Sequence, residues 1–120
     1  MTAINALRNA HARAIAENPV DIAIHKVTYV DDGAGGRIKQ SIDLPPFQGR
    51  LVPARNQQAS VNEAGMLRVA GWLLLAPWDA DLQVDDTFTT GGRSFRVVRV
   101  IRRARAGMVY AVQAEVEEVG

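Results

Sequence analysis

The spacing of apolar residues divides the chain into one helix and a series of short strands. Between Thr2 and Glu17, Ile4, Leu7, His11 and Ile15 recur at three- and four-residue steps in an alanine-rich run, which predicts an amphipathic helix. Arg8, Arg13 and Glu17 fall mostly off this stripe. Asn18-Pro19 ends the helix, because proline restricts the residue before it and offers no N–H to the ladder. The stripe is narrow. Such a helix either packs weakly on its own domain or is completed by a neighbouring subunit.

After Pro19 the pattern changes to a period of two. In Val20 to Tyr29, Ile22 and Ile24 share one face, while Val27 and Tyr29 have the opposite parity, so a bulge or a strand covered on both sides is expected. Asp31-Asp32-Gly33-Ala34-Gly35-Gly36 reads as a turn. From Arg37 to Leu44, Ile38, Ile42 and Leu44 alternate with Arg37, Lys39, Ser41 and Asp43, which predicts the return strand of a hairpin. Pro45-Pro46 interrupts pairing, and Phe47 to Pro53 resumes as a short strand. Arg55 to Met66 is polar, amide-rich and aperiodic, which predicts a long loop, a feature usually functional or disordered in a compact domain. Leu67 to Leu75 is almost continuously apolar and reads as a central strand.

The last third, Thr87 to Val119, carries the strongest local signal. Gly91-Gly92 between two β-rich runs predicts a hairpin with a primed turn, and a second turn near Ala106-Gly107 makes a three-stranded meander. In its middle strand the apolar residues change parity, from Phe95 and Val97 to Val98 and Val100. A bulge near Val97-Val98 reconciles this by turning Phe95, Val97 and Val100 toward the core and leaving Arg99, Arg103 and Arg105 exposed. The whole pattern predicts a mainly β fold: a small closed or half-closed β-barrel or sandwich of about six strands with one N-terminal α-helix. It is a single domain over 1–120, with the helix at 1–18, first strands at 20–53, a polar loop at 54–67 and the remaining strands at 68–119.

Composition narrows the function classes. A net charge of +1 gives no overall basicity. Twelve of the fourteen basic residues are arginine, and six of those lie between Arg93 and Arg105, in a stretch without an acidic residue from Thr87 to Ala114. With no cysteine there is no disulfide framework, thiol nucleophile or thiolate metal site, which fits a reducing compartment. No apolar run approaches a membrane span, and no signal-peptide pattern opens the chain.

The candidates for chemistry are thin. Asp79, Asp81, Asp85 and Asp86 lack the glycine and terminal glutamate of a calcium loop, so a solvated turn is the simpler reading. His11 and His25 have no partner at ligand spacing. Ser41, Ser60 and Ser94 lack a nucleophile elbow. The Gly-rich stretch at 31–36 bridges two strands, and a phosphate loop needs a helix N-terminus after it. No enzyme, cofactor or metal is expected. Trp72 and Trp78 read as core or rim anchors. The arginines have two readings: pairing with Glu115, Glu117 and Glu118 on the adjacent strand, worth little each, or facing a polyanion or acidic partner.

The stretch from Leu82 to Val100, with Asp86, Phe95, Val97 and Val100 in order, resembles a sequence near the C-terminus of the small head–tail connectors of long-tailed bacteriophages, the head-closure, head-completion or stopper proteins. Relatives often carry Gly-Asp where this chain has Asp85-Asp86. The resemblance covers most of the chain and implies a ring subunit, usually in twelve copies, at the neck of the virion. Its neighbours would be a portal or adaptor protein above and a tail or tail-terminator protein below, with double-stranded DNA held non-specifically in the channel and assembly in the host cytoplasm. It also implies that the loop after the early strands points into the channel; here that means Arg55, Asn56, Gln57, Gln58, Ser60, Asn62 and Glu63. Heterologous ring contacts need two different matching surfaces. The expected contributors are Ile4, Leu7, Arg8 and Ile15 on the helix, and Arg99, Arg102, Arg103, Arg105, Glu115 and Glu117 on the meander. A phage tail-terminator or tail-completion protein, or a small β-barrel that binds nucleic acid or protein, is the alternative.

Overall fold

Thr2 caps the helix that opens the fold: its hydroxyl accepts a hydrogen bond from the Asn5 N–H at 3.3 Å, satisfying one of the free donors of the first turn. A computed structural model describes residues 2–61 and 67–119, with backbone alone over 55–61 and 67–70. The helix, α1, runs Ala3–Ala16. Eight strands follow: β1 (Val20–Ile22), β2 (Ile24–Asp31), β3 (Arg37–Asp43), β4 (Phe47–Val61), β5 (Leu67–Ala76), β6 (Thr87–Thr90), β7 (Arg93–Arg105) and β8 (Met108–Val119). They form one antiparallel sheet in the order β1-β4-β5-β8-β7-β6-β2-β3.

The mainly β class with an N-terminal helix is as expected; the strand number is eight rather than six. Part of the difference lies at Ala23. The parity change read between Ile24 and Val27 is not a bulge: the strand breaks earlier, at Ala23, and its two halves pair at opposite ends of the sheet. β1 pairs β4 through Val20↔Gly49, whereas β2 pairs β6 through Ile24↔Phe88. Because a single residue separates β1 from β2, the sheet curls until its ends meet there, giving a half-closed barrel.

Ile22, Ile24, Leu74, Leu82, Phe88, Phe95, Val97, Val112 and Val116 fill the interior. They come from the broken first strand, the central strand, the meander and the turn before it. Phe95 stacks on Phe88 at 5.2 Å and takes the edge of Trp72 at 6.2 Å. The Gly91-Gly92 turn has φ of 59° and 75°, the positive values a primed turn requires. Val97 faces Val116 and Arg99 faces Glu115, so Val98 is the extra residue of a bulge. Phe95 and Val97 are buried, Val100 packs against the core, and Arg99, Arg103 and Arg105 are exposed.

The long polar loop is not a loop over most of its length. β4 continues through Val61, and Gln58↔Ala70 to Val61↔Leu67 pair in register beyond an irregularity after Pro53. Amide side chains gave no alternation to read, so an extended ribbon looked aperiodic. Asn62 and Glu63 lie outside the described residues. The helix packs on its own domain, against β8 and β4, with Ile15 buried.

Candidate functional site

The β2–β3 hairpin extends beyond the barrel wall. β2 pairs with β6 only at Ile24 and His25, while its pairing with β3 continues from His25↔Asp43 to Asp31↔Arg37. From Val27 outward the result is a two-stranded arm with solvent on both faces. One face carries Val27, Tyr29 and Asp31 opposite Ser41, Lys39 and Arg37; the other carries Thr28 and Val30 opposite Gln40 and Ile38. Among the described residues eight large apolar side chains are exposed, and five of them, Val27, Tyr29, Val30, Ile38 and Ile42, are on this arm. The concentration marks an interaction surface rather than scattered surface residues. The alternation of Ile38 and Ile42 was readable in the sequence, but not that their face lies outside the chain's own core.

The turn at the tip is held by its own carboxylates. Asp31 accepts from the Gly33 N–H at 3.0 Å, and Asp32 accepts from Ala34 and Gly36 at 2.8 and 2.9 Å. Those amides hold the Asp32 carboxyl below the usual carboxylate range. At the root, His25 Nδ1 lies 2.6 Å from Asp43. Lys26, on the opposite parity, points back to the body and reaches Asp86 at 2.5 Å and Asp81 at 3.6 Å.

A groove flanks α1. Arg8, His11, Ala12, Ile15, Pro77 and Trp78 line a cavity of about 220 Å³. The Arg8 guanidinium sits over the Trp78 ring, 3.5 Å from its centroid, and donates to the Val109 carbonyl from Nε and Nη2 at 3.1 and 3.0 Å. His11 donates from Nε2 to the Ala76 carbonyl at 2.6 Å. On the other side, Arg50 anchors the helix by donating to the Ala14 carbonyl and to Glu17, both at 3.0 Å. Across Pro77 a second hollow of about 410 Å³ continues past Leu44 and Phe47 to Asp79 and Asp81. The groove therefore has a basic wall on the helix and an acidic wall at 79–81. Trp78, one of the two expected anchors, is the rim residue; Trp72 is half-buried against Phe95 and Arg93.

The meander arginines take the bland reading for the most part. Arg93 pairs with Glu118 at 2.5 Å, Arg96 with Glu117 at 3.8 Å and Arg99 with Glu115 at 3.9 Å. Arg102 donates to the Leu82 carbonyl at 2.8 Å and Arg103 contacts Gln113 at 3.4 Å. These are short-range braces across β7 and β8 and around the Leu82 turn. Of the expected interface residues, Ile15 is buried within the chain, Ile4, Leu7 and Arg8 are half-buried by the chain's own sheet, and Glu115 and Glu117 face their own arginines. Arg105 is exposed near the β7–β8 turn.

Asp86 holds the turn before β6. Its carboxylate is buried, accepts from the Gln83 N–H at 2.8 Å and pairs with Lys26. Its carbonyl accepts from the Val97 N–H at 2.8 Å, and the Val97 carbonyl accepts from Asp85 at 2.9 Å. This clasp fixes the turn against the β7 bulge, so Asp86 and Val97 act as architecture. The cation in the acidic turn is the Lys26 ammonium. Among the described residues no group of three or more His, Cys, Asp or Glu is placed to hold a metal. No hydrogen bond joins Ser41 to the His25–Asp43 pair, and Ser94 shares one with Thr89. No described helix is long and apolar enough to cross a membrane. The chain matches no protein-family model and no curated protein.

Proposed function

We propose that this protein is a non-enzymatic virion connector that forms a ring at the head–tail junction of a long-tailed bacteriophage, between a portal or adaptor protein and the tail. The observation that carries the reading is the pairing of a self-contained half-closed barrel with an apolar arm that the chain does not cover. A barrel closed on itself without spare surface would suit a monomeric module; an arm with Val27, Tyr29, Val30, Ile38 and Ile42 in solvent suits assembly. The clasp of Asp86 and Val97 supports the same reading, because both residues lie in the stretch that resembles connector proteins. The β4–β5 hairpin supports a further part of the proposal, that the ring helps retain DNA in its channel. β8 pairs with β5 only at Trp72–Ala76, so residues 58–61 and 67–70 form a ribbon beyond the wall, carrying the segment with Gln58 and Ser60. In a twelve-fold ring this ribbon points into the channel and touches DNA through backbone and amide groups without sequence preference.

Two experiments test the proposal. Phage lacking the protein should yield filled heads and separate tails that do not join, and the protein should be found in purified virions; its absence from virions overturns the reading. Recovery of the protein with isolated tails instead of heads would move it to the tail-terminator class. Replacing residues 58–70 by a two-residue Asn-Gly turn should leave the barrel folded while packaged DNA escapes; full retention overturns the gating role.

A further inference from the structure

The arm and the groove beside α1 are complementary in shape of charge. On one face of the ribbon Tyr29 and Asp31 lie on β2, directly opposite Lys39 and Arg37 on β3. The two hollows of the groove meet at Pro77, with Arg8, His11 and Trp78 lining the one beside the helix and Asp79 and Asp81 lining the other. Both are exposed enough to meet a partner: Tyr29 is 63% exposed and Trp78 41%. The hairpin also needs a partner for physical reasons, since a two-stranded ribbon is marginal in water until a third strand or another surface covers it. The arm and the groove are two different surfaces of one chain, which is what a head-to-tail ring contact requires.

We propose that the β2–β3 arm of one copy lies in the α1–Trp78 groove of a second copy, its β2 edge toward Arg8 and His11, its β3 edge toward Asp79 and Asp81, and Tyr29 over Pro77 and Trp78. The proposal rests on the ring reading and assigns the contact that builds the ring. It places the subunit contact away from Arg93, Arg96 and Arg99, which pair with glutamates of β8. It also leaves the β4–β5 ribbon free for the channel.

The chain's two lysines make the test direct. Lys26 is tied to Asp86, so Lys39 on the arm is the one that can reach a neighbour's carboxylate. Light and isotopically heavy protein are mixed at high concentration and treated with a carbodiimide, which joins an ammonium to a carboxylate it already touches. The expected product is a linked peptide pair, Lys39 to Asp79 or Asp81, with one light and one heavy member. Tyr29→Ala, which leaves the barrel folded, should reduce that product at least tenfold. Links of Lys39 to 79–81 within one chain only, mixed links to other carboxylates, or no mixed link at all would overturn the proposal and leave the arm to a different protein. The outcome is separable from the neck reading: a mixed Lys39 link in a protein absent from virions would keep this contact and discard the neck.

Discussion

The hairpins β7–β8 and β2–β3 belong to the same sheet and are built by the same antiparallel rules, yet one is the wall of the core and the other stands in water. In β7–β8, Phe95, Val97, Val112, Ala114 and Val116 face an interior shared with five other strands, and Ala111, on the outward parity, is buried where α1 crosses β8. In β2–β3 only Ile24, at the point of contact with β6, reaches that interior; every residue from Val27 to Asp43 is exposed. Apolar alternation is therefore a statement that a face will be covered, not a statement of which chain covers it. The comparison separates residues that hold the subunit together from residues left for the proposed contact between subunits.

The largest effect that tests this separation is on folding. Phe95→Ala should cost about 3–5 kcal/mol in denaturant unfolding, because it removes a ring packed between Phe88 and Trp72. Tyr29→Ala should change the same transition by no more than about 0.5 kcal/mol at low protein concentration. An arm substitution as costly as the core one would erase the distinction.

The root of the arm comes next. Asp86→Ala leaves the Lys26 ammonium, 12% exposed, without its closest carboxylate and removes the acceptor of the Gln83 N–H. A loss of about 3 kcal/mol is expected; Lys26→Met, which leaves the buried Asp86 carboxylate without its cation, should cost a similar amount, and replacing both should cost less than the sum of the two. Strictly additive losses would mean that the two side chains do not act as a pair.

The turns give a smaller effect. In the β7–β8 turn Ala106 sits at φ 52°, a left-handed value that costs a side chain about 1 kcal/mol, so Ala106→Gly should stabilise the body by up to that amount. The arm turn already has glycine at its positive φ positions, Gly33 and Gly35, and has no such gain to make. Thermal unfolding reads both.

The smallest effect is electrostatic. Arg93, through its hydrogen bond to Glu118, holds that carboxyl below the usual range. A lowered folded value means that the pairing supports the body fully above the ordinary carboxylate range and is lost as pH falls through the lowered value. Arg93→Gln should move the Glu118 titration midpoint upward when followed by NMR; an unchanged midpoint would remove this brace from β7–β8.

Much of this architecture was legible in the residues. Gly91-Gly92, the parity change at Val97-Val98 and the stop at Asn18-Pro19 are local rules with local causes, and the structure follows each. Two things were not. Ala23 breaks a strand because its halves pair at opposite ends of a curling sheet, a long-range event with no local mark. Residues 55–61 extend β4 because they pair with β5, although polar amides carry no alternation. For the candidate site, the arm's apolar strand and the rim role of Trp78 were visible, whereas the groove was not, since it is made by α1 crossing the turn at Pro77. The pairing of the meander arginines with Glu115, Glu117 and Glu118 was one of the two readings the sequence offered, and Arg96 and Arg99 do lie opposite Glu117 and Glu115.

Amide hydrogen exchange tests the central claim most directly, that β7–β8 is complete within one chain and β2–β3 is completed by a second copy. Exchange is followed in the wild-type protein when dilute and when assembled. The account predicts slow exchange in the core of β7 and β8 in both states, and exchange in Lys26–Asp31 and Arg37–Ile42 that is fast when dilute and slow when assembled. Arm amides that are as protected as β8 in the dilute protein, or that stay fast in the assembly, would contradict it.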